Sequence, residues 1–143
     1  VNHDWGTTVT HRCMSLFDSP PAQSLTTKSF GRYEVTLSSP ERAIMEVMHQ
    51  ANENFEIEHA LEVMSGLTML RPSVVQPLLE CCKSIKVKRL FLWSAESEGH
   101  PWLPRVNLSK VDLGKGKRSI FKGGRLDKKY GITVPVGEEL PNV

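Results

Sequence analysis

The sequence predicts an α+β fold: N-terminal strands, a three- to four-helix group, and a C-terminal basic β-hairpin. Three observations carry that prediction. Apolar and polar residues alternate early in the chain, a 3.6-residue apolar period runs through its middle, and glycine-broken β-prone runs lie near its end. With 143 residues and 39% hydrophobic content, the chain has the size of one domain, or of a compact domain with a small appendage, and is able to bury a core without a covalent staple.

In "TTVTHRCMSLF" (7–17), Val9, His11 and Cys13 alternate with polar neighbours; in "GRYEVTL" (31–37), Tyr33, Val35 and Leu37 do so. Both patterns predict half-buried strands. "LTTKSF" (25–30) is a further strand candidate, and 18–24 is a loop because Pro20 and Pro21 lack a backbone donor. In "SSPERAIMEVMHQA" (38–51), Ser38 and Glu41 have the spacing of a capping box and Pro40 suits the first helical turn. Ile44, Val47, Met48 and Ala51 then fall on one helical face. Ile57, Ala60, Leu61 and Met64 repeat that spacing, with Glu56, Glu58 and Glu62 outside and Gly66 as the stop. Val75, Leu78, Leu79 and Cys82 repeat it again; Pro72 opens this helix, with Pro77 expected near its first turn. "SIKVKRLFLWSAESEG" (84–99) reads as a fourth helix ending at Gly99, although its dense apolar positions also suit a buried strand. Beyond the irregular "GHPWLP" (99–104), "KRSIFK" (117–122) and "YGITVP" (130–135) are the predicted hairpin strands. The turn between them, 123–129, contains Gly123-Gly124 for the reversal.

The net charge of +2 conceals a division. Residues 1–82 carry five basic and ten acidic side chains, whereas 83–130 carry thirteen basic and four acidic. Such asymmetry bears on partners, not on fold. The candidate nucleic-acid or partner-binding residues are Lys86, Lys88 and Arg89, together with Lys115, Lys117, Arg118, Lys122, Arg125, Lys128 and Lys129. Cations displace counterions from a phosphate backbone, and Trp93, four residues beyond Arg89, could stack on a base. The structural alternative is a soluble lysine-rich surface with Trp93 and Trp102 in the core. The contact reading requires these cations to converge on one exterior patch.

Chemistry finds little support. "GKGKRS" (114–119) lacks the Walker order, because Arg118 follows Gly116-Lys117 and a predicted strand follows rather than a helix. Asp112 and Asp127-Lys128-Lys129 imitate a metal-dependent nuclease motif, but Asp127 belongs to the predicted turn. His3, His11 and Cys13 have no zinc-ligand spacing with the distant Cys81 and Cys82, and no thiol has an evident activating neighbour. No catalytic residue, metal site or cofactor is therefore predicted. No apolar run approaches the ~20 residues of a membrane span. Three cysteines, two of them adjacent, suit a reducing cytoplasmic compartment.

The strings "HDWG" (3–6), "SSPERAIMEVM" (38–48), "MSGLTMLRPSVVQPLLECCKSIKVKRLFLW" (64–93) and "GHPWLPRVNLSKVDLGKGKRSIFKGGRLDKKYGITVP" (99–135) occur in this order. Together they resemble the AbiEi family, the antitoxins of bacterial type IV toxin–antitoxin systems. The resemblance covers nearly the whole chain. It implies a non-enzymatic antitoxin and transcriptional regulator opposing a nucleotidyltransferase-like toxin, with no stable complex expected. Family members usually begin with a promoter-binding winged helix-turn-helix, which is not visible here. Since Val1 is no initiator methionine, residues 1–143 are expected to be the single C-terminal, antitoxin domain. The alternative is a nucleic-acid-binding accessory module without autonomous antitoxin activity. Within "SSPERA", Ser38 or Ser39 caps the helix and Glu41 suits its dipole, whereas Arg42 either pairs with Glu46 or faces a partner.

Overall fold

The computed structural model describes residues 15–137. Most of the predicted strand 7–17 lies outside the described residues. Its end forms no strand within them, only a single bridge between Phe17 and Cys82. Strands β1 (Leu25–Phe30) and β2 (Tyr33–Ser38) pair antiparallel through a Gly31-Arg32 turn. Opposed residues share a face, so Phe30/Tyr33, Lys28/Val35 and Thr26/Leu37 make one side of this ribbon. The expected half-burial of β2 is not met. Tyr33 is 77% exposed, because the ribbon is joined to the helices at its base and no described residue covers it.

Helix α1 (Pro40–Gln50) is capped by Ser39, whose Oγ accepts from Arg42 N at 3.4 Å. Ser38 instead donates to Glu46. Met45 takes the buried position expected of Val47, while Ile44, Met48 and Ala51 lie in the core as predicted. Helix α2 (Asn54–Ser65) buries Ile57, Ala60 and Met64, and Glu56 Oε1 accepts from Glu53 N at its start. Helix α3 (Pro72–Cys81) continues through Pro77, which stands in the second turn rather than the first. Helix α4 (Ile85–Glu98) begins at a Ser84 cap and stops at Gly99, in the left-handed region at φ 64°. Its burial runs unbroken from Val87 to Leu92, which explains apolar positions too dense for a one-faced helix. α4 is the central helix, packed on α1 and α2, with α3 against α1. The 100–102 loop closes over it. His100 Nε2 lies 2.8 Å from Met64 O, Trp102 Nε1 donates to Leu67 O at 2.9 Å, and their rings stack at 5.3 Å.

The C-terminal hairpin exists in a different register from the one predicted. β3 (Arg125–Asp127) falls inside the predicted turn and pairs antiparallel with β4 (Ile132–Val134). The predicted strand 117–122 provides only a parallel bridge, Arg118 to Ile132, on β4's other side. Gly123-Gly124 does turn the chain, with Gly124 N donating to Phe121 O at 3.3 Å, but this reversal precedes β3. A Cβ at Gly124 would stand 2.1 Å from Val134 O, so only glycine fits there.

Glu41 is 2% exposed and ties α1 to the loop before α3. Arg71 donates to it twice, from Nη2 to Oε1 at 2.8 Å and from the backbone N to Oε2 at 3.2 Å. Burial alone would raise this carboxyl's pKa; the Arg71 hydrogen bonds and charge outweigh it and hold the pKa below the ordinary value. The stability gained is present above the unfolded glutamate pKa and is lost as pH falls through the depressed folded value. Arg71→Ala is expected to cost about 1–3 kcal/mol at pH 7, discounted for a half-exposed guanidinium. In urea denaturation that gap narrows as pH falls below the ordinary glutamate range; a gap independent of pH contradicts the assignment.

Candidate nucleic-acid interface

The ten basic candidates do not share one surface. On α4, Lys86 is half-buried and donates to Ala51 O at the end of α1 and to Asn52 Oδ1 at 3.5 Å. Burial pushes its pKa down, against the pull of Glu56. Lys88 and Arg89 are each 4% exposed. Their expected place on an exterior patch is therefore corrected: the central helix carries them inward. The signal was available, since both sit inside the apolar run that makes α4 the central element.

Arg89 organises the segment that follows the helices. Its Nε donates to Leu113 O at 2.8 Å, and its Nη1 donates to Gly116 O at 2.6 Å and Gly131 O at 3.3 Å. These carbonyls belong to two loops distant in sequence, and neither loop was read as an arginine site. Gly131 has φ 63°, and a Cβ there would lie 3.3 Å from Arg89 Nη1. Its lack of a side chain lets the loop close on the guanidinium. Arg118 N donates to Gly131 O at 2.8 Å and Thr133 N to Arg118 O at 3.1 Å, joining the two loops beside this contact.

Around Arg89 lies a cavity of about 510 Å³, with Lys117, Lys128 and Lys129 in its wall alongside Leu113 and Tyr130. Among the described residues, no carboxylate lines it. Lys129 is drawn aside, donating to Glu96 Oε1 at 2.6 Å with its Nζ 5.4 Å from the Tyr130 ring centroid. The Lys129 hydrogen bond holds the Glu96 carboxyl below its usual pKa. Burial, reinforced by Glu96, holds Tyr130 above the ordinary phenol range, so its hydroxyl remains protonated. Lys117 and Lys128 are exposed and have no ion-pair partner among the described residues.

The remaining candidates diverge. Arg118 follows Lys117 in extended chain, where successive side chains point to opposite sides, and it lines a second cavity with Lys86 and Asn52. Arg125 lines a third, beside Trp93 and Glu98. Lys122 is held by its backbone, with its N and O paired to the Asn54 side-chain amide at 2.9 and 2.8 Å. Lys115 is exposed between the two loop glycines 114 and 116.

Both carboxylates of the nuclease-like pattern serve turns. Asp112 Oδ1 accepts from Gly114 N, and Asp127 Oδ2 accepts from Tyr130 N, each at 2.8 Å. Among the described residues, no group of three or more His, Cys, Asp or Glu side chains could hold a metal ion, and no helix is long and apolar enough to cross a membrane. Cys81 and Cys82 are free thiols raised in pKa by burial, an environment that disfavours the reactive thiolate.

Removing Arg89 should loosen the C-terminal segment. Hydrogen bonds to a charged group contribute about 1.5–3 kcal/mol each, so Arg89→Ala is expected to speed amide exchange at Arg118, Gly131 and Thr133 at least about tenfold. Arg89→Lys, lacking the planar fork, should rescue little of it. Unchanged exchange at those three amides in Arg89→Ala contradicts the anchoring role.

Residues 1–135 match the family model described as "Transcriptional regulator, AbiEi antitoxin, Type IV TA system". No curated protein and no solved structure matches the chain.

Proposed function

The chain belongs to the AbiEi antitoxin family of type IV toxin–antitoxin systems, and from that premise we propose a non-enzymatic antitoxin and regulator domain that contacts nucleic acid through its C-terminal basic segment. The family is regulatory rather than catalytic. On this reading residues 1–143 form the antitoxin domain, act in the bacterial cytoplasm, and oppose a nucleotidyltransferase-like toxin without forming a lasting complex with it.

The observation that carries the nucleic-acid part is the clustering of Lys117, Lys128 and Lys129 around a concavity with no acid in its wall among the described residues. A concave, one-signed surface focuses its potential on an approaching polyanion more strongly than scattered exposed charges do. Lys115 and Lys122 extend the positive charge along the same segment. Arg89 contributes by holding the two loops in place rather than by reaching outward. The turn-capping roles of Asp112 and Asp127 support a binding reading over cleavage.

Two measurements test the proposal. Expressing residues 1–143 together with the toxin encoded beside it should restore growth. Failure to restore growth while nucleic acid is still bound would shift the reading to an accessory binding module. Affinity for nucleic acid should fall steeply with salt: with about four phosphate contacts, roughly 50- to 150-fold between 50 and 200 mM. A flat salt profile removes the electrostatic interface.

A further inference from the structure

We propose that the cavity over Arg89 is a discrete binding site for a phosphorylated ligand of nucleotide size, taken either free or as a unit of a strand. This deepens the reading of the basic segment as a phosphate-contacting surface and rests on it, but it makes a narrower claim about one concavity.

The first argument is an unpaired buried charge. Arginine is almost never buried without a partner ion, because removing a cation from water is costly. Arg89 is 4% exposed and forms no ion pair among the described residues. Its three partners are neutral carbonyls. They satisfy Nε and Nη1 and leave the net charge uncompensated. An anion entering the cavity would meet a guanidinium already fixed in place, so little ordering entropy opposes binding.

The second argument is the character of the wall. Lys117 and Lys128 add two flexible cations at the rim, and among the described residues no carboxylate draws either off as Glu96 draws Lys129. Phosphate is the common biological anion whose charge and oxygen count suit one guanidinium and two ammonium groups together. Leu113, Leu126 and the Tyr130 ring give the remaining wall an apolar and aromatic character, of no use to a bare inorganic ion. They suit the sugar and base of a nucleotide, which can lie against leucine and tyrosine side chains. A volume of about 510 Å³ leaves room for such a ligand.

Calorimetric titration of residues 1–143 decides the matter, with adenosine 5′-monophosphate, cytidine 5′-monophosphate, adenosine and inorganic phosphate as probes. A short single-stranded oligonucleotide, with and without a 5′-phosphate, completes the set. At least one nucleotide should bind, adenosine should not, and inorganic phosphate should bind more weakly than the nucleotide. The double variant Lys117→Ala/Lys128→Ala should weaken nucleotide binding at least about tenfold. Lys28→Ala/Lys110→Ala, which removes equal charge at two exposed lysines that do not line this cavity, should change it by less than about twofold. All four lysines are exposed, and an unchanged thermal midpoint for each pair separates lost binding from lost folding. Preference for the free nucleotide identifies a small-molecule site, and preference for the 5′-phosphorylated oligonucleotide identifies a strand end; either supports the cavity. Absence of nucleotide binding, or equal losses in the two variant pairs, overturns it. If the oligonucleotide then still binds with steep salt dependence, the broader interface stands alone; if it does not, both readings fall.

Discussion

The C-terminal third of the structure depends on one buried cation. β3 and β4 are three residues each, too short to hold a segment of this length by ladder hydrogen bonds alone. Arg89 supplies what the sheet cannot. From the most enclosed helix it reaches carbonyls at 113, 116 and 131, and the Arg118–Gly131 and Arg118–Thr133 backbone bonds close beside it. A planar guanidinium suits this task because it offers several donors in fixed directions and retains its charge. A glycine at 131 completes the arrangement, since a side chain there would crowd the guanidinium.

That anchor also determines what the surface cations can do. Exposed lysines on a mobile strip would present a diffuse positive charge, screened within about 8 Å at physiological salt. Fixed around a concavity, Lys117 and Lys128 act on the same small volume, with the buried Arg89 charge behind them. Lys86 and Arg118 meet in a separate hollow, and Arg125 stands near Glu98. The basic half of the sequence thus resolves into one cluster around a shared cavity and several cations placed elsewhere. The acids closest to the cluster in sequence, Asp112 and Asp127, serve as turn caps.

The two ends of the fold are built on different principles. The β1–β2 ribbon gains little from burial: Phe30, Tyr33, Val35 and Leu37 share a solvent-facing side. A lone two-stranded hairpin is marginal in water, so its order comes from its base. There Ser39 N donates to Ser24 O at 2.7 Å, and Arg42 donates to Ser24 Oγ while lying 5.3 Å above the Phe17 ring centroid. The Arg42–Glu46 pairing anticipated from their spacing is present at 3.9 Å and adds to this junction. Glu41 was expected to serve the helix dipole; Arg71, thirty positions away, makes it a buried structural partner instead.

What the sequence determined by itself was whatever is set by near neighbours. The period of apolar residues placed three helices and left 84–99 between a helix and a buried strand, Pro40 and Pro72 opened two helices, and the charge division was plain from counting. Side chains within four positions of one another dictate caps and amphipathic faces, so these features survive without knowledge of the fold. Tertiary structure alone decided which cations lie inside, which strand pairs with β4, and where the cavity forms. Those outcomes rest on contacts 24, 27 and 42 residues apart from Arg89, and sequence spacing carries no record of them. An arginine on a helix looks the same on paper whether its neighbour in space is water or three carbonyl oxygens.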